Sequence, residues 1–303
     1  MSSAAQFSLG NESSADGRFE RQESRFRDRP AALEPGRYHL YVCYACPWAH
    51  RTIILRKLLG LEDVISMSPV DPYRDDRGWA FSGGEYTDPV NGFAFLSEAY
   101  DATDPSFEGR YSVPVLWDKQ AGRIVNNESG DLVRLLGEHA REGAPDLYPA
   151  DYRAEIDRLN DRIYDTVNNG VYKAGFGTDQ AVYEEEVTAL FETLAMLESL
   201  LGERRWLAGS PEPTEADWRL FTTLVRFDTV YAIHFKCSIA RIADHPNLWG
   251  YLRDLYQRPG IAETVRMDEI KRHYYTTHPS INPTAIVPLG PALDLTAPHG
   301  RGG

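Results

Sequence analysis

Cys46-Pro47 stands where a β-rich run gives way to a helical one. The first N–H groups of a helix lack intrahelical partners and carry partial positive charge. A thiolate at the N-cap is therefore stabilised, and a cysteine pKa there falls from about 8.5 toward roughly 3.5–7.5. Pro47 suits the first helical position, where its missing N–H would have had no partner. The thiolate is the nucleophilic form, so the spacing describes a reactive cysteine rather than a structural one. Cys43 creates a C-x-x-C pair with Cys46. Such pairs serve as redox dithiols or as half of a zinc site. No second pair of ligands stands at zinc-site spacing, and Cys237 with the scattered His residues does not supply one, so no metal is expected. In a thioredoxin-type dithiol the resolving Cys follows the nucleophile by three, a position that here is Ala49. Cys43 either fills space in the strand or pairs with Cys46, and the first reading is favoured.

Two further motifs bear on ligand binding. Val113-Pro114 precedes a strand at the place of the cis-proline of thioredoxin-like folds, where the backbone of the preceding residue can pair with a peptide-like ligand; the alternative is an edge or bulge proline. Asn127-Glu128-Ser129 opens a helix. Its N–H groups and Ser129 suit a carboxylate and Glu128 an ammonium, although Ser and Glu at a helix start also serve as plain caps. Taken with Cys46-Pro47, these motifs describe a glutathione site.

The elements that must position these residues follow from hydrophobic period. Tyr38 to Cys43 alternates and reads as a strand. Trp48 to Leu59 reads as a helix with Ile53, Ile54, Leu58 and Leu59 on one face, closed by Gly60. Asp63 to Val70 reads as a second strand. Residues 71–110 are polar and aromatic with several Gly and Pro, like an insertion. Strands are expected at Tyr111 to Trp117 and at Ile124-Val125, then a helix carrying Leu132, Val133, Leu135 and Leu136. The order β-α-β then β-β-α is that of a thioredoxin fold, an α/β unit. From about 150 the pattern is helical: Ile156, Leu159, Ile163 and Val167 recur at spacings of three and four, as do Val187, Leu190, Leu194, Leu197 and Leu201. Thr214 and Asp217 form a capping box before a helix through Tyr231, and two more helices are expected near 246–257 and 260–270. The expected division is 1–36 as an N-terminal extension anchored through Phe19, Phe26 and Pro30, 37–140 as the thioredoxin-like domain, 150–272 as an all-α domain, and 273–303 as a tail near the active site.

Composition narrows the classes. The 303 residues carry a formal net charge of −13, and no basic run offers a nucleic acid or an anionic membrane an electrostatic partner. No apolar stretch approaches the roughly 20 residues that span a bilayer. The N-terminus lacks an apolar signal core, and three cysteines do not suit a disulfide-stapled secreted fold. A reducing cytoplasm is the expected setting.

The run Tyr38-His-Leu-Tyr-Val with Ala45-Cys-Pro-Trp-Ala-His-Arg51 resembles the signature of the glutathionyl-hydroquinone reductases, the xi-class glutathione transferases. Further matches are Gly78-Trp79, Val113-Pro-Val-Leu-Trp-Asp118, Asn127-Glu-Ser129 and Asn169-Gly-Val-Tyr-Lys-Ala-Gly-Phe176. Later ones are Leu224-Val-Arg-Phe-Asp228, His234-Phe-Lys-Cys237, Arg272-His-Tyr-Tyr275 and Ile281-Asn-Pro-Thr284. The resemblance as a whole runs from about residue 17 to 291. The resemblance implies a thioredoxin-like N-terminal domain, an all-α glutathione transferase C-terminal domain, and reduction of glutathionyl-hydroquinones by glutathione to hydroquinone and glutathione disulfide. It makes Cys46 the nucleophile and Tyr172 the proton donor or acceptor at the quinol ring. It has Tyr231 and Tyr274 direct hydroxyls at the Cys46 sulfur, and Trp79, Arg110, Tyr111, Ser112, Val113, Glu128 and Ser129 bind glutathione. It also implies a homodimer. The departure is Cys43, where the family pattern has a small residue such as Ser. Three other readings share the scaffold: an omega-like thioltransferase or dehydroascorbate reductase, a conjugating transferase, and a non-catalytic ligand-binding protein. A conjugating enzyme would ordinarily use Ser or Tyr in place of Cys46.

Overall fold

Strand β1 (Tyr38–Val42) is buried along its whole length, as befits a strand with neighbours on both sides and helices on its faces. It pairs in parallel with β2 (Ser66–Pro69) and antiparallel with β5 (Val115–Asp118). β6 (Arg123–Asn126) adds antiparallel to β5, giving the sheet order β2-β1-β5-β6. Helix α1 (Pro47–Leu58) connects β1 to β2, the parallel crossover that such a pair requires. Helix α3 (Ser129–Glu138) packs against α1. The computed structural model describes residues 14–302, and the thioredoxin order read from the sequence is the order it shows. The stretch taken as an insertion holds a two-stranded ribbon, β3 (Arg74–Asp75) with β4 (Gly78–Trp79), and helix α2 (Ser97–Thr103).

The described chain divides into two units, and their boundaries differ from those expected. The first unit joins Arg21–Ala144 to Arg266–Ala285. Residues 21–36 are thus part of it rather than an extension outside it. Arg27 bridges to Asn126 at the free side of β6, the Asp28 N–H donates to the Val125 carbonyl at 3.0 Å and the Asn127 N–H to the Phe26 carbonyl at 2.9 Å. The last helix, α9 (Met267–Thr277), begins later than the 260–270 expected, because residues 258–265 close into tight turns through Ile261 N–H to the Arg258 carbonyl and Thr264 N–H to the Ile261 carbonyl. It belongs with the first unit. Arg266 pairs with Glu85 at 2.6 Å, Arg272 with Asp71 at 3.3 Å, and His273 Nδ1 lies 2.8 Å from the Pro72 carbonyl oxygen.

The second unit comprises residues 14–20, Pro145–Val265 and residues 286–302. Its helices are α4 (Arg153–Ile163), α5 (Gly170–Phe176), α6 (Gln180–Glu203), α7 (Glu215–Arg226) and α8 (Pro246–Tyr256). The expected capping box opens α7: Asp217 accepts from the Thr214 N–H at 2.7 Å and from Thr214 Oγ1 at 2.9 Å. Its other oxygen accepts from the Leu207 N–H and the Tyr251 hydroxyl. Tail residues 286–302 pack on this unit, where Arg301 donates to the carbonyls of Leu201, Arg204 and Arg205.

His39 in β1 is fully enclosed, its Nδ1 2.8 Å from Ser66 Oγ, and burial holds its pKa down to about 4. The unfolded chain takes up this proton near pH 6.5, so the contribution is complete above that pH and is lost as pH falls through about 4. His234 in the second unit has the same sign and the same approximate value. The melting temperature is expected to drop between pH 6.5 and 4, and to drop less in His39→Gln; equal slopes would place the acid sensitivity elsewhere.

Candidate functional site

Cys46 is the N-cap of α1 with extended backbone (φ −77°, ψ 121°), and Pro47 holds the first helical position. The turn leading into it is closed by the Cys46 N–H donating to the Cys43 carbonyl at 3.1 Å. The Cys46 side chain makes no cap bond to the helix. Its thiol is half-buried and lies 3.6 Å from the Val113 carbonyl oxygen. Val113-Pro114 is cis, so the motif is the cis-proline and not an edge proline. All three cysteines are thiols. Cys43 is completely buried, and burial first, then the neighbouring Cys46, pushes its pKa far above the ordinary thiol range. Cys237 is also buried and pushed up to about 12. Only Cys46 combines partial exposure with a helix N-terminus.

The loop carrying Arg110, Tyr111, Ser112 and Val113 is held by a residue the sequence reading missed. Tyr100 of α2 is fully buried; its hydroxyl donates to the Ser112 carbonyl at 2.8 Å and accepts from the Ser112 N–H at 3.0 Å. Asn127 joins the cluster, its amide donating to the Tyr100 hydroxyl at 3.1 Å and to Ser112 Oγ at 3.4 Å. Gln22 fixes the other end of the loop by accepting the Arg110 N–H at 2.7 Å. Neither Gln22 nor Tyr100 stands in a periodic or spaced motif, so composition and pattern gave no signal for them.

Glu128 is the N-cap of α3 and accepts the Gly130 N–H at 3.0 Å, with its second oxygen accepting from Ser24 at 2.9 Å. It is a cap, and its two oxygens retain lone pairs for a cationic ligand group. Ser129 is buried at the first helical position, where Arg51 donates to its Oγ at 3.4 Å. Trp79 lies in β4, buried and stacked on His273 with centroids 5.0 Å apart. Its indole Nε1 is buried with no acceptor among the described residues; an oxygen of a bound peptide-like ligand would satisfy it. Gly78 beside it must be glycine. Its φ is +95°, and a Cβ there would sit 3.3 Å from the Tyr111 ring. Cys46, Trp79, the 110–113 loop, Glu128, Ser129 and Tyr274 (1% exposed, on α9) all belong to the first unit.

Tyr172 and Tyr231 belong to the second unit, and it brings them together. Their ring centroids are 6.0 Å apart. Phe235 packs edge-on against Tyr172 at 5.4 Å and stacks on Tyr231 at 5.6 Å. Phe176 and Phe19 complete the cluster, Phe19 stacking on Tyr172 at 6.2 Å and on Phe176 at 5.5 Å. Both tyrosines sit beside widened helical turns, a feature that recurs at functional sites. One turn, Tyr164–Asn168, leads into α5 and Tyr172; the other, Phe227–Tyr231, ends on Tyr231 itself. A one-residue bulge leaves the hydrophobic period almost intact, which hides it from a sequence reading.

Two family models match this chain: "Glutathione S-transferase, N-terminal domain" over residues 45–139 and "Glutathione S-transferase, C-terminal domain" over residues 180–254. The chain is 50% identical to the glutathionyl-hydroquinone reductase YqjG of Escherichia coli, across 95% of this chain and 93% of that one. It is also 50% identical to the glutathionyl-hydroquinone reductase PcpF of Sphingobium chlorophenolicum, across 93% and 92%. The glutathione-bound structure of YqjG superposes with a TM-score of 0.85 at 53% identity, covering 88% of this chain and 89% of that one. The xi-class glutathione transferase of Natrialba magadii gives a TM-score of 0.88 at 51% identity, with 91% and 88% covered.

Two substitutions test the scaffolding. Tyr100→Phe removes the one hydroxyl that serves Ser112 and Asn127. A loss of about 1–3 kcal/mol of stability is expected, read by urea unfolding, together with faster proteolysis within 108–113. A Cβ on Gly175 would run into the Phe235 ring. Gly175→Ala is therefore expected to lower stability by about 1–3 kcal/mol and to change the near-ultraviolet circular dichroism of the aromatic cluster; an unchanged spectrum would show that Phe235 has room to move.

Proposed function

The chain belongs to the glutathionyl-hydroquinone reductase family of xi-class glutathione transferases, and from that premise we propose that it reduces glutathionyl-hydroquinones with glutathione, through a mixed disulfide on Cys46. The observation that carries this reading is the Cys46 thiol at the start of α1, 3.6 Å from the Val113 carbonyl of the cis-proline loop. The glutathione side is supported by the buried Trp79 indole N–H, which has no acceptor among the described residues, and by the hydrogen-bonded 110–113 loop and the start of α3. The aromatic side is supported by the cluster around Tyr172.

In the proposed reaction the Cys46 thiolate attacks the sulfur of the conjugate. The sulfur–aryl bond breaks, the ring carbon takes a proton, and Cys46 is left joined to glutathione. Tyr172 is the group assigned to that proton, since a carbon leaving group needs a positioned acid. Tyr231 and Tyr274 supply hydroxyls to the thiolate. A second glutathione thiolate then attacks the mixed disulfide, releasing glutathione disulfide and regenerating Cys46. Ala49 stands where a resolving cysteine would be, so the second thiol must come from solution. Trp79, Arg110, Tyr111, Ser112, Val113, Glu128 and Ser129 are assigned to glutathione. The cytoplasmic setting and the homodimer are part of the same proposal: three cysteines in 303 residues suit the first, and the family suits the second. Among the described residues no helix is long and apolar enough to cross a membrane, and no cluster of His, Cys, Asp and Glu could hold a metal ion.

The decisive assay is release of hydroquinone from a synthetic glutathionyl-hydroquinone with excess glutathione, with intact-mass analysis of the protein. Wild type is expected to turn over and to show a glutathione adduct. Cys46→Ser is expected to show neither. An adduct without turnover would leave a thioltransferase, and absence of both would remove Cys46 from the mechanism. Tyr172→Phe is expected to lose about 10²-fold or more on the hydroquinone conjugate while keeping its rate on a small glutathione mixed disulfide; equal losses would make Tyr172 structural.

A further inference from the structure

Arg51 is five residues beyond Cys46 and only 2% exposed. Enclosing a guanidinium carries a desolvation cost of several kcal/mol unless its donors and its charge are used. Its Cζ lies over the Trp48 ring, 4.5 Å from the centroid, and the Arg21 Cζ lies over the same ring at 4.8 Å. Its Nη1 donates to Ser129 Oγ at 3.4 Å. A guanidinium can only donate, whereas a serine hydroxyl has one proton and two lone pairs. Arg51 occupies one lone pair, so the Ser129 proton turns away from Arg51. No group among the described residues accepts that proton. Ser129 also stands at the first position of α3, whose opening N–H groups favour an anion. The hydroxyl proton, the helix start and the enclosed positive charge all favour the same ligand chemistry, a carboxylate. In a chain of net charge −13, that local cation offsets the repulsion an anionic substrate meets.

We infer that Arg51 is a positioning residue for glutathione: it orients the Ser129 hydroxyl as a donor to one of the tripeptide's carboxylates and supplies the charge behind it. This rests on the glutathione reading above. The Trp48 ring lies against the Arg51 guanidinium, with Arg21 against the same ring, and Arg51 acts through the Ser129 hydroxyl to which it donates. Lysine cannot replace it, because a compact ammonium on a flexible stem neither stacks on Trp48 nor reproduces the fork.

The test is a double-substitution cycle on glutathione binding and turnover. Reduced glutathione is titrated calorimetrically into Cys46→Ser carrying Arg51→Lys, Ser129→Ala or both, and KM for glutathione and kcat are measured in the corresponding chains with Cys46 intact. Arg51→Lys and Ser129→Ala are each expected to weaken glutathione about tenfold with kcat held within about twofold, and the pair to be no weaker than Ser129→Ala alone, since one acts through the other. Additive losses, or a fall in kcat with KM unchanged, would overturn the inference while leaving the glutathione site standing. Unchanged affinity in Ser129→Ala would remove Ser129 from that site, and the inference with it. Arg51→Gln, which keeps an uncharged donor, is the second variant should Arg51→Lys not fold; its expected signature is the same rise in KM at constant kcat.

Discussion

The antiparallel pairing of β1 with β5 is the constraint on which the first unit depends. Tyr41 stands opposite Val115 and Leu40 opposite Leu116. That register brings the end of β1, and so the turn into Cys46, alongside the chain just before β5, where Val113-Pro114 lies. A slip of one residue would turn each buried side chain to the other face of the sheet and carry the Val113 carbonyl away from the thiol. Helix α1 can begin at Cys46 only because the strand delivers it there, and α3 can pack on α1 only because β6 continues the same sheet. Arg37, chelating Asp118 with two nitrogens at 2.6–3.1 Å, ties the outer end of the same strand pair.

Much of this was legible from sequence because it depends on local pattern. The change from period two to period 3.6 at Cys46-Pro47 marks a strand-to-helix junction whatever surrounds it. Thr214 and Asp217 declared a helix start, and the structure builds that box: the Thr214 side chain accepts the Asp217 N–H and the Asp217 carboxylate accepts the Thr214 N–H. What stayed hidden depends on long-range contact. Gln22 and Ser24 sit in a polar run, and they matter only because Arg110 and Glu128 are brought to them. Tyr100 looked like one aromatic residue among many in a stretch read as an insertion; its hydroxyl is the hub of the loop. The last helix begins at Met267 rather than near 260, because the chain spends residues 258–265 on local turn bonds before α9 begins.

The two units express different chemistry in different materials. The first supplies backbone N–H groups, a thiol and buried polar donors. The second holds a connected cluster of rings, Phe19, Tyr172, Phe176, Tyr231 and Phe235, with Phe235 seated against a glycine backbone that leaves no clearance. Cys43 stands at C-x-x-C spacing from Cys46, yet it is completely buried, and burial pushes its thiol pKa up.

The return of α9 to the first unit has a consequence for the chain as it is made. His273 is 201 residues beyond the Pro72 carbonyl that it meets, and it supplies the ring on which Trp79 rests. At the usual 5–20 residues per second of synthesis, roughly 10–40 s separate the emergence of those partners from the ribosome. Throughout that interval the nascent sheet can form, but the Trp79 wall has no backing. The unit that holds Cys46 is therefore complete only once α9 has emerged, so chains released before that point carry the thiol without its finished surroundings.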